Sequence, residues 1–421
     1  MATIKRPITN HQSPITNHTN HTNHTNHTNH KTKEQKNMKK RTFIKLASAS
    51  ALSVLAGSSF LGCNNEQEKP IVTAQKSMLP DNWIWMRPNL KQSDDEWKAT
   101  FERIKSAGID AILPEVYSSN HTLFDHPTLP VKERWLERII PMAHEAGLEV
   151  HAWMWTMILN NPELIAKNPD WFSVNRKGER AHSHPAYVNY YKFMCPCNEE
   201  VAEFVAGNVE ALGKIEGLDG IHLDYVRQPD VILAEALQPK YNIVQDKEFP
   251  EYDYPYSENC RNQFKAKHGI DPMDLGNEAP QHEAWRQFRY DAVSNIVNNY
   301  CVPMARKYDK KITAAVFPNW ESVRQEWHKW DLDGFLPMLY QGFYNENIDW
   351  IGKQVKDAKE RLKSVDNDKP VFSGLFLPHL KEVENLKKAI EAAKNNGAKG
   401  VAFFDYNGFK DEYIKVLGSK K

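Results

Sequence analysis

The chain has 421 residues, enough for one large domain or two ordinary ones, and its 54 basic side chains balance 54 acidic ones. A formal charge of zero gives no electrostatic footprint for nucleic acid or an anionic surface, which sets those partners aside. Beyond the N-terminal region no apolar run reaches the roughly 18 residues that a membrane-spanning helix needs.

Three segments precede the first periodic element. Residues 1–37 carry an Asn-His-Thr repeat, a low-complexity tract with nothing to bury. It reads as a stretch upstream of a native start at Met38, with metal binding by its histidines as the alternative. Residues 38–63, "MKKRTFIKLASASALSVLAGSSFLGC", have the basic start, apolar middle and small-residue end of an export signal. "KRTFIK" resembles a twin-arginine signal with Lys in place of the first Arg. "LGC" resembles a lipoprotein box, which implies lipidation of Cys63, a membrane anchor, and a periplasmic or cell-surface location. An ordinary signal with an incidental cysteine is the other reading. Residues 64–81 then form a polar tether, and the folded domain is expected over 82–421.

Strand candidates follow in chain order: "NWIWMRP" (82–88), "DAILPEVY" (110–117), "LEVHAWMW" (148–155) and "GIHLDYV" (220–226), then "KITAAVFP" (311–318), "DGFLPMLYQ" (333–341), "PVFSGLFLP" (370–378) and "GVAFFDY" (400–406). Amphipathic stretches separate them. "SDDEWKATFERIKSAG" opens on a Ser cap with an acidic first turn and closes on Gly. The ending recurs in "EAGLEVHAW" and "NNGAKGVAFF", as a repeated helix–strand unit would have it. Strands apolar on both faces and joined by helices predict a parallel sheet covered on both sides. Eight such units over roughly 330 residues predict an α/β fold, a (β/α)8 TIM barrel in one domain. A doubly wound open sheet is the runner-up, but no glycine-rich phosphate loop follows the first strand. Long loops are expected after strands three and four, on the side where barrel enzymes build their sites. Cys195, Cys197, Cys260 and Cys301 allow three pairings, and "CPC" lacks partners at zinc-ligand spacing, so these cysteines read as structural.

The chemistry centres on "GIHLDYVRQP". Alternation puts His222 and Asp224 on one face, and a carboxylate at the C-terminal end of an inward face is a catalytic address. A buried salt bridge from Asp224 to Arg227 or Arg87 is the bland alternative. The same alternation groups Trp83, Trp85 and Arg87 on strand one, Glu115 and Tyr117 on strand two, and His151, Trp153 and Trp155 on strand three. Phe403 and Asp405 are grouped on strand eight. Asn319, Trp320 and Glu321 follow strand five, and Tyr340 and Gln341 close strand six. Carboxylates among aromatics at a barrel mouth favour an oligo- or polysaccharide substrate, whose cleavage takes two carboxylates. Asp224 is one; Glu115, Glu321 and Asp405 are candidates for the other. The remaining residues apart from Phe403, with His222 and Arg227, are candidate sugar contacts; Phe372 and Phe376 read as barrel-core packing, and Trp85 suits either role. No cofactor or metal is required.

"DGIHLDYVRQP" resembles the fourth-strand signature of the glycosyl-hydrolase-like family 10 barrels, and "NEEVAEFVAGNVEAL", "AAVFPNW" and "DGFLPMLYQ" resemble neighbouring segments of that family. The resemblance implies a (β/α)8 fold, an extracytoplasmic location and hydrolysis of glycosidic bonds in polysaccharide or peptidoglycan strands, with Asp224 as the motif's aspartate. Two positions depart from the usual pattern: Tyr225 directly follows Asp224, and Gln228 stands where Tyr is commoner. Two other readings are a non-catalytic glycan-binding lipoprotein, and a metal-dependent polysaccharide deacetylase using His151, His222 and Asp224. The strand-one Asp pair expected of deacetylases is missing.

Overall fold

The computed structural model describes residues 78–417. The tract 1–37, the signal 38–63 with Cys63, and most of the tether 64–81 lie outside the described residues. Eight strands form: β1 Asn82–Met86, β2 Ala111–Tyr117, β3 Glu149–Trp155, β4 Gly220–Asp224, β5 Lys311–Val316, β6 Gly334–Pro337, β7 Phe372–Phe376 and β8 Gly400–Phe404. All pairings are parallel, in the order β6-β5-β4-β3-β2-β1-β8-β7. The remaining seam carries the single parallel bridges Phe335↔Val371 and Met338↔Gly374, which bring the sheet round to the predicted barrel.

Local chemistry sets the frame. Helix Asp94–Ser106 starts in a capping box, in which Glu96 N donates to Ser93 Oγ and Ser93 N to the Glu96 carboxylate. The helix–strand turns contain Gly108, Gly147 and Gly397 at φ of 78°, 75° and 100°, a region closed to most side chains. Outside the barrel, Ile221, Leu223 and their counterparts meet the helices in one continuous apolar layer. No helix among the described residues is long and apolar enough to cross a membrane.

The barrel interior is stacked. In its lower part Trp83 meets the edge of His151 at 4.6 Å and of Phe372 at 5.4 Å, while His151 Nε2 lies 3.0 Å from Glu149. A side chain at Gly220 would overlap the His151 ring, so β4 must begin on glycine. Above this, Trp85 Nε1 donates to His222 Nε2 at 3.1 Å. An indole nitrogen only donates, so the neutral imidazole carries its proton on Nδ1 and gives it to Thr313 Oγ1 at 2.9 Å. Burial, and then the neighbouring His151, hold the His222 pKa well below its usual value. His222, a candidate sugar contact by sequence, is therefore a satisfied core residue instead.

The loop after β3 is joined to helix Glu258–His268, which follows the loop after β4, by a Cys197–Cys260 disulfide packed against Tyr256, Phe264 and Trp285. The buried Cys195 thiol sits 3.6 Å from Cys260 Sγ. Cys260→Ser is expected to cost about 4 kcal/mol, the loop entropy released when a cross-link of this span is lost. Cys197→Ser should cost clearly less, because Cys195 can bond Cys260 instead. Chemical unfolding of both variants, with free thiols counted by mass spectrometry, checks the difference.

Candidate active site

The C-terminal ends of the strands open into a cavity of about 260 Å³. Trp153, Asp224 and Phe404 line it from the barrel, Tyr191 and Leu233 from the loops after β3 and β4, and Phe343 and Tyr344 from the segment after β6.

Asp224 ends β4, and both its oxygens are held: Oδ2 accepts from Trp153 Nε1 at 2.9 Å and Oδ1 from Tyr225 N at 2.7 Å. Tyr225 adopts a left-handed φ of 51°, turning the chain out of the strand directly after the carboxylate. Burial raises the Asp224 pKa, against the opposing pull of the Tyr225 amide, the Trp153 indole, Arg227 and Arg87. Neither arginine is paired with it. Arg227 bonds Asp230 at 3.1 Å and lies 4.7 Å from the Phe317 ring centroid.

Arg87 lies between Glu115, at 3.4 Å, and Asp405, at 3.6 Å, with its guanidinium 5.9 Å from the Trp153 ring centroid. Glu115 is buried, and its Oε1 makes no hydrogen bond of normal geometry, although the Trp155 indole is nearby. Burial raises its pKa; Arg87 opposes this, while the charges of Asp224 and Asp405 add to it. Burial thus raises both carboxyls; Asp224 lines the cavity with both oxygens held, while Glu115, on Arg87, is not among the residues that line it.

The structure therefore brings together Asp224, Glu115, Asp405, Arg87, Trp153, Trp155, Arg227 and Tyr340. Gln341 is buried beside Tyr340 in the segment after β6. The other candidates lie elsewhere. Trp83, His151, Trp85 and His222 are deeper in the barrel, so His151, His222 and Asp224 do not assemble a ligand set. Tyr117 is turned away by a bulge: β2 shifts register between Glu115 and Tyr117, which pairs with outward-facing Met154 and is buried in the outer layer. Glu321 sits on a turn beyond β5, 3.8 Å from Arg361, while Trp320 packs on Tyr290 and His328. Asn319 accepts a hydrogen bond from Tyr344 at 2.9 Å. Phe403 pairs with Ile84 and shares its outward face, so Phe404 is the inward residue.

Several lining residues carried no usable signal: Phe343, Leu233 and Leu237 are on irregular segments. Asp230 was findable, as a carboxylate three residues beyond Arg227. Phe376, which alternation left among the core residues, faces the cavity, whereas Phe372 is core.

A model of the family described as glycosyl hydrolase-like 10 matches residues 81–389. Among solved structures, the chain is similar to the PgaB (BpsB) glycoside hydrolase domain from Bordetella bronchiseptica, with a TM-score of 0.61 at 13% identity over 81% of this chain and 99% of that one. A beta-galactosidase from Halorubrum lacusprofundi gives a TM-score of 0.57 at 14% identity, over 80% of this chain and 57% of that one. The catalytic domain of a beta-amylase from Paenibacillus polymyxa gives 0.53 at 11%, over 79% of this chain and 94% of that one. At such identities these likenesses speak for the fold. A search among curated proteins finds no match.

Proposed function

Since the chain belongs to the glycosyl hydrolase-like 10 family, we propose that it is an exported, lipid-anchored glycoside hydrolase cleaving a polysaccharide or peptidoglycan glycan strand. The observation that carries this reading is the pair of unlike carboxyls at the barrel mouth. Glu115, raised by burial and the charges of Asp224 and Asp405, acts as the acid and protonates the leaving oxygen. Asp224, with two donors on its oxygens, acts as base or nucleophile on the other side of the bond. Arg87 and Asp405 position Glu115. The signal-like residues 38–63 and the "LGC" motif support export and anchoring at Cys63.

Hydrolysis then needs Asp224 ionised and Glu115 protonated. Both pKa values are raised, so the acid limb of the pH–rate profile lies above the usual Asp value and the alkaline limb above the usual Glu value. The profile of hydrolysis by the wild-type protein, beside Glu115→Gln, tests this. The variant should lose about 10²- to 10⁴-fold in rate, and its residual activity should lack the alkaline limb. An alkaline limb unchanged in Glu115→Gln would assign the acid to another group.

A further inference from the structure

We propose that three neighbouring cysteines form a thiol relay: the buried Cys195 thiol exchanges with the Cys197–Cys260 bond, and the Cys197 thiol so released is a modification site for small disulfides.

The "CPC" motif takes no part in the glycosidase chemistry. It is a tight turn with Pro196 in its second position, closed by Asn198 N donating to Cys195 O at 3.2 Å, and it keeps Cys195 and Cys197 together. Cys260, on helix Glu258–His268, completes the group, and all three sulfurs lie within 4.8 Å of one another. Cys195 Sγ is 3.6 Å from Cys260 Sγ, close to the roughly 3–3.5 Å at which held groups are poised to react.

The exchange balances within the chain. The Cys195 thiol gives up its proton and its sulfur attacks Cys260 Sγ. The Cys195–Cys260 bond forms as the Cys197–Cys260 bond breaks, and Cys197 leaves as a thiolate that takes up a proton. Nothing is oxidised or reduced overall. The same two segments stay joined, because Cys195 and Cys197 are two residues apart. Gln263 Nε2, from the helix that carries Cys260, also donates to Cys197 O at 2.9 Å, a link that needs neither disulfide.

What moves is the free thiol. Cys195 and Cys260 are closed to solvent, whereas Cys197 is 8% exposed and lines a groove of about 410 Å³ with Pro196, Gln263, Lys267, Asp291 and Asn295. That volume suits a small ligand, and Lys267 beside Asp291 suits one carrying both charges. In the groove the Cys197 thiolate attacks a low-molecular-weight disulfide, keeps one half as a mixed disulfide and releases the other as a thiol. Burial pushes the Cys195 thiol up and leaves little thiolate, so the internal step runs over minutes to hours.

The test is incubation of the full-length protein with oxidised glutathione, without reductant, followed by an acid quench. Peptides are mapped by mass spectrometry with fragmentation between Pro196 and Cys197, and Cys63 and Cys301 are read on separate peptides. Glutathione should appear on Cys197, in molecules whose Cys195 is bonded to Cys260. Cys195→Ala and Cys195→Ser should each carry at least about tenfold less at Cys197. Circular dichroism checks the fold of both variants; should neither fold, the wild-type map alone decides. Glutathione on Cys195 with the Cys197–Cys260 bond intact overturns the relay, as does glutathione on Cys260 with Cys195 bonded to Cys197. Equal labelling of Cys197 in a folded Cys195 variant overturns it too. So does a wild-type protein that takes no label at Cys197 when folded but takes it when unfolded.

Discussion

Asp224→Asn is expected to lower turnover about 10³-fold while leaving glycan binding within a few-fold of wild type. Asparagine keeps the shape, but with one acceptor oxygen it can serve only one of the Trp153 indole and the Tyr225 amide, and it neither attacks a sugar nor takes a proton. The same change separates a catalytic carboxylate from a structural one by its effect on stability. The folded-state pKa of Asp224 is raised by burial, so its stabilising contribution is complete below the unfolded pKa and lost as pH rises through the folded value. At neutral pH the wild type therefore carries a desolvation cost that asparagine does not. The relieved desolvation offsets the one hydrogen bond lost, so the variant should melt close to the wild type. Lost activity together with a melting temperature far below that of the wild type would make Asp224 a structural residue. Steady-state kinetics and thermal unfolding on one preparation decide between these outcomes.

Asp253→Ala is expected to destabilise the fold by about 3–5 kcal/mol. Asp253 lies on the long loop after β4 and is fully buried. It pairs with Arg289 from helix Glu283–Asn295, with Arg324 beyond β5 at 3.2 Å, and with Arg176 in the loop after β3 at 3.3 Å. Tyr256 donates its hydroxyl to the same carboxylate at 2.8 Å. Without Asp253, the three guanidiniums keep Glu248, on Arg324, as their one ion-pair partner among the described residues. Burial pushes the Asp253 pKa up, but Arg289 and Arg324 outweigh it and hold the carboxyl below its ordinary value. Its stabilising contribution is thus present above the unfolded pKa of about 3.9 and lost as pH falls through the folded one. The gap between wild type and Asp253→Ala should be full at pH 7 and close in acid. Denaturant unfolding at both pH values checks this, and a gap below about 1 kcal/mol at pH 7 would mean the guanidiniums find other partners.

These two aspartates show how far the chain could be read in advance. Asp224 stood out because a carboxylate at the end of an apolar strand has no bland explanation on the strand itself. The eight strands were legible for a related reason: parallel strands are apolar on both faces, and glycines at Gly108, Gly147 and Gly397 mark where helices give way to them. Alternation tells inward from outward but not depth. Trp83 and His151 therefore looked like Trp153 and Trp155, although they sit at the other end of the barrel interior. It also fails at irregularities, as the bulge that turns Tyr117 outward shows. Asp253 and the cavity-lining Leu233 and Leu237 belong to loops, where partners are set by tertiary packing across segments far apart in the chain. No local period encodes the buried Gln245 accepting from Leu233 N, or Gln238 donating to Leu233 O, both at 2.8 Å.

The most direct test of a two-carboxylate glycosidase at this barrel mouth is mass spectrometry of the products formed in ¹⁸O-enriched water from peptidoglycan strands, uronic-acid polymers and neutral glycans. The expected result is one ¹⁸O at each new reducing end, made by the wild-type protein and absent with Asp224→Asn. Label appearing in released acetate with the glycan backbone intact, or no label in any product while the glycans still bind, would contradict it.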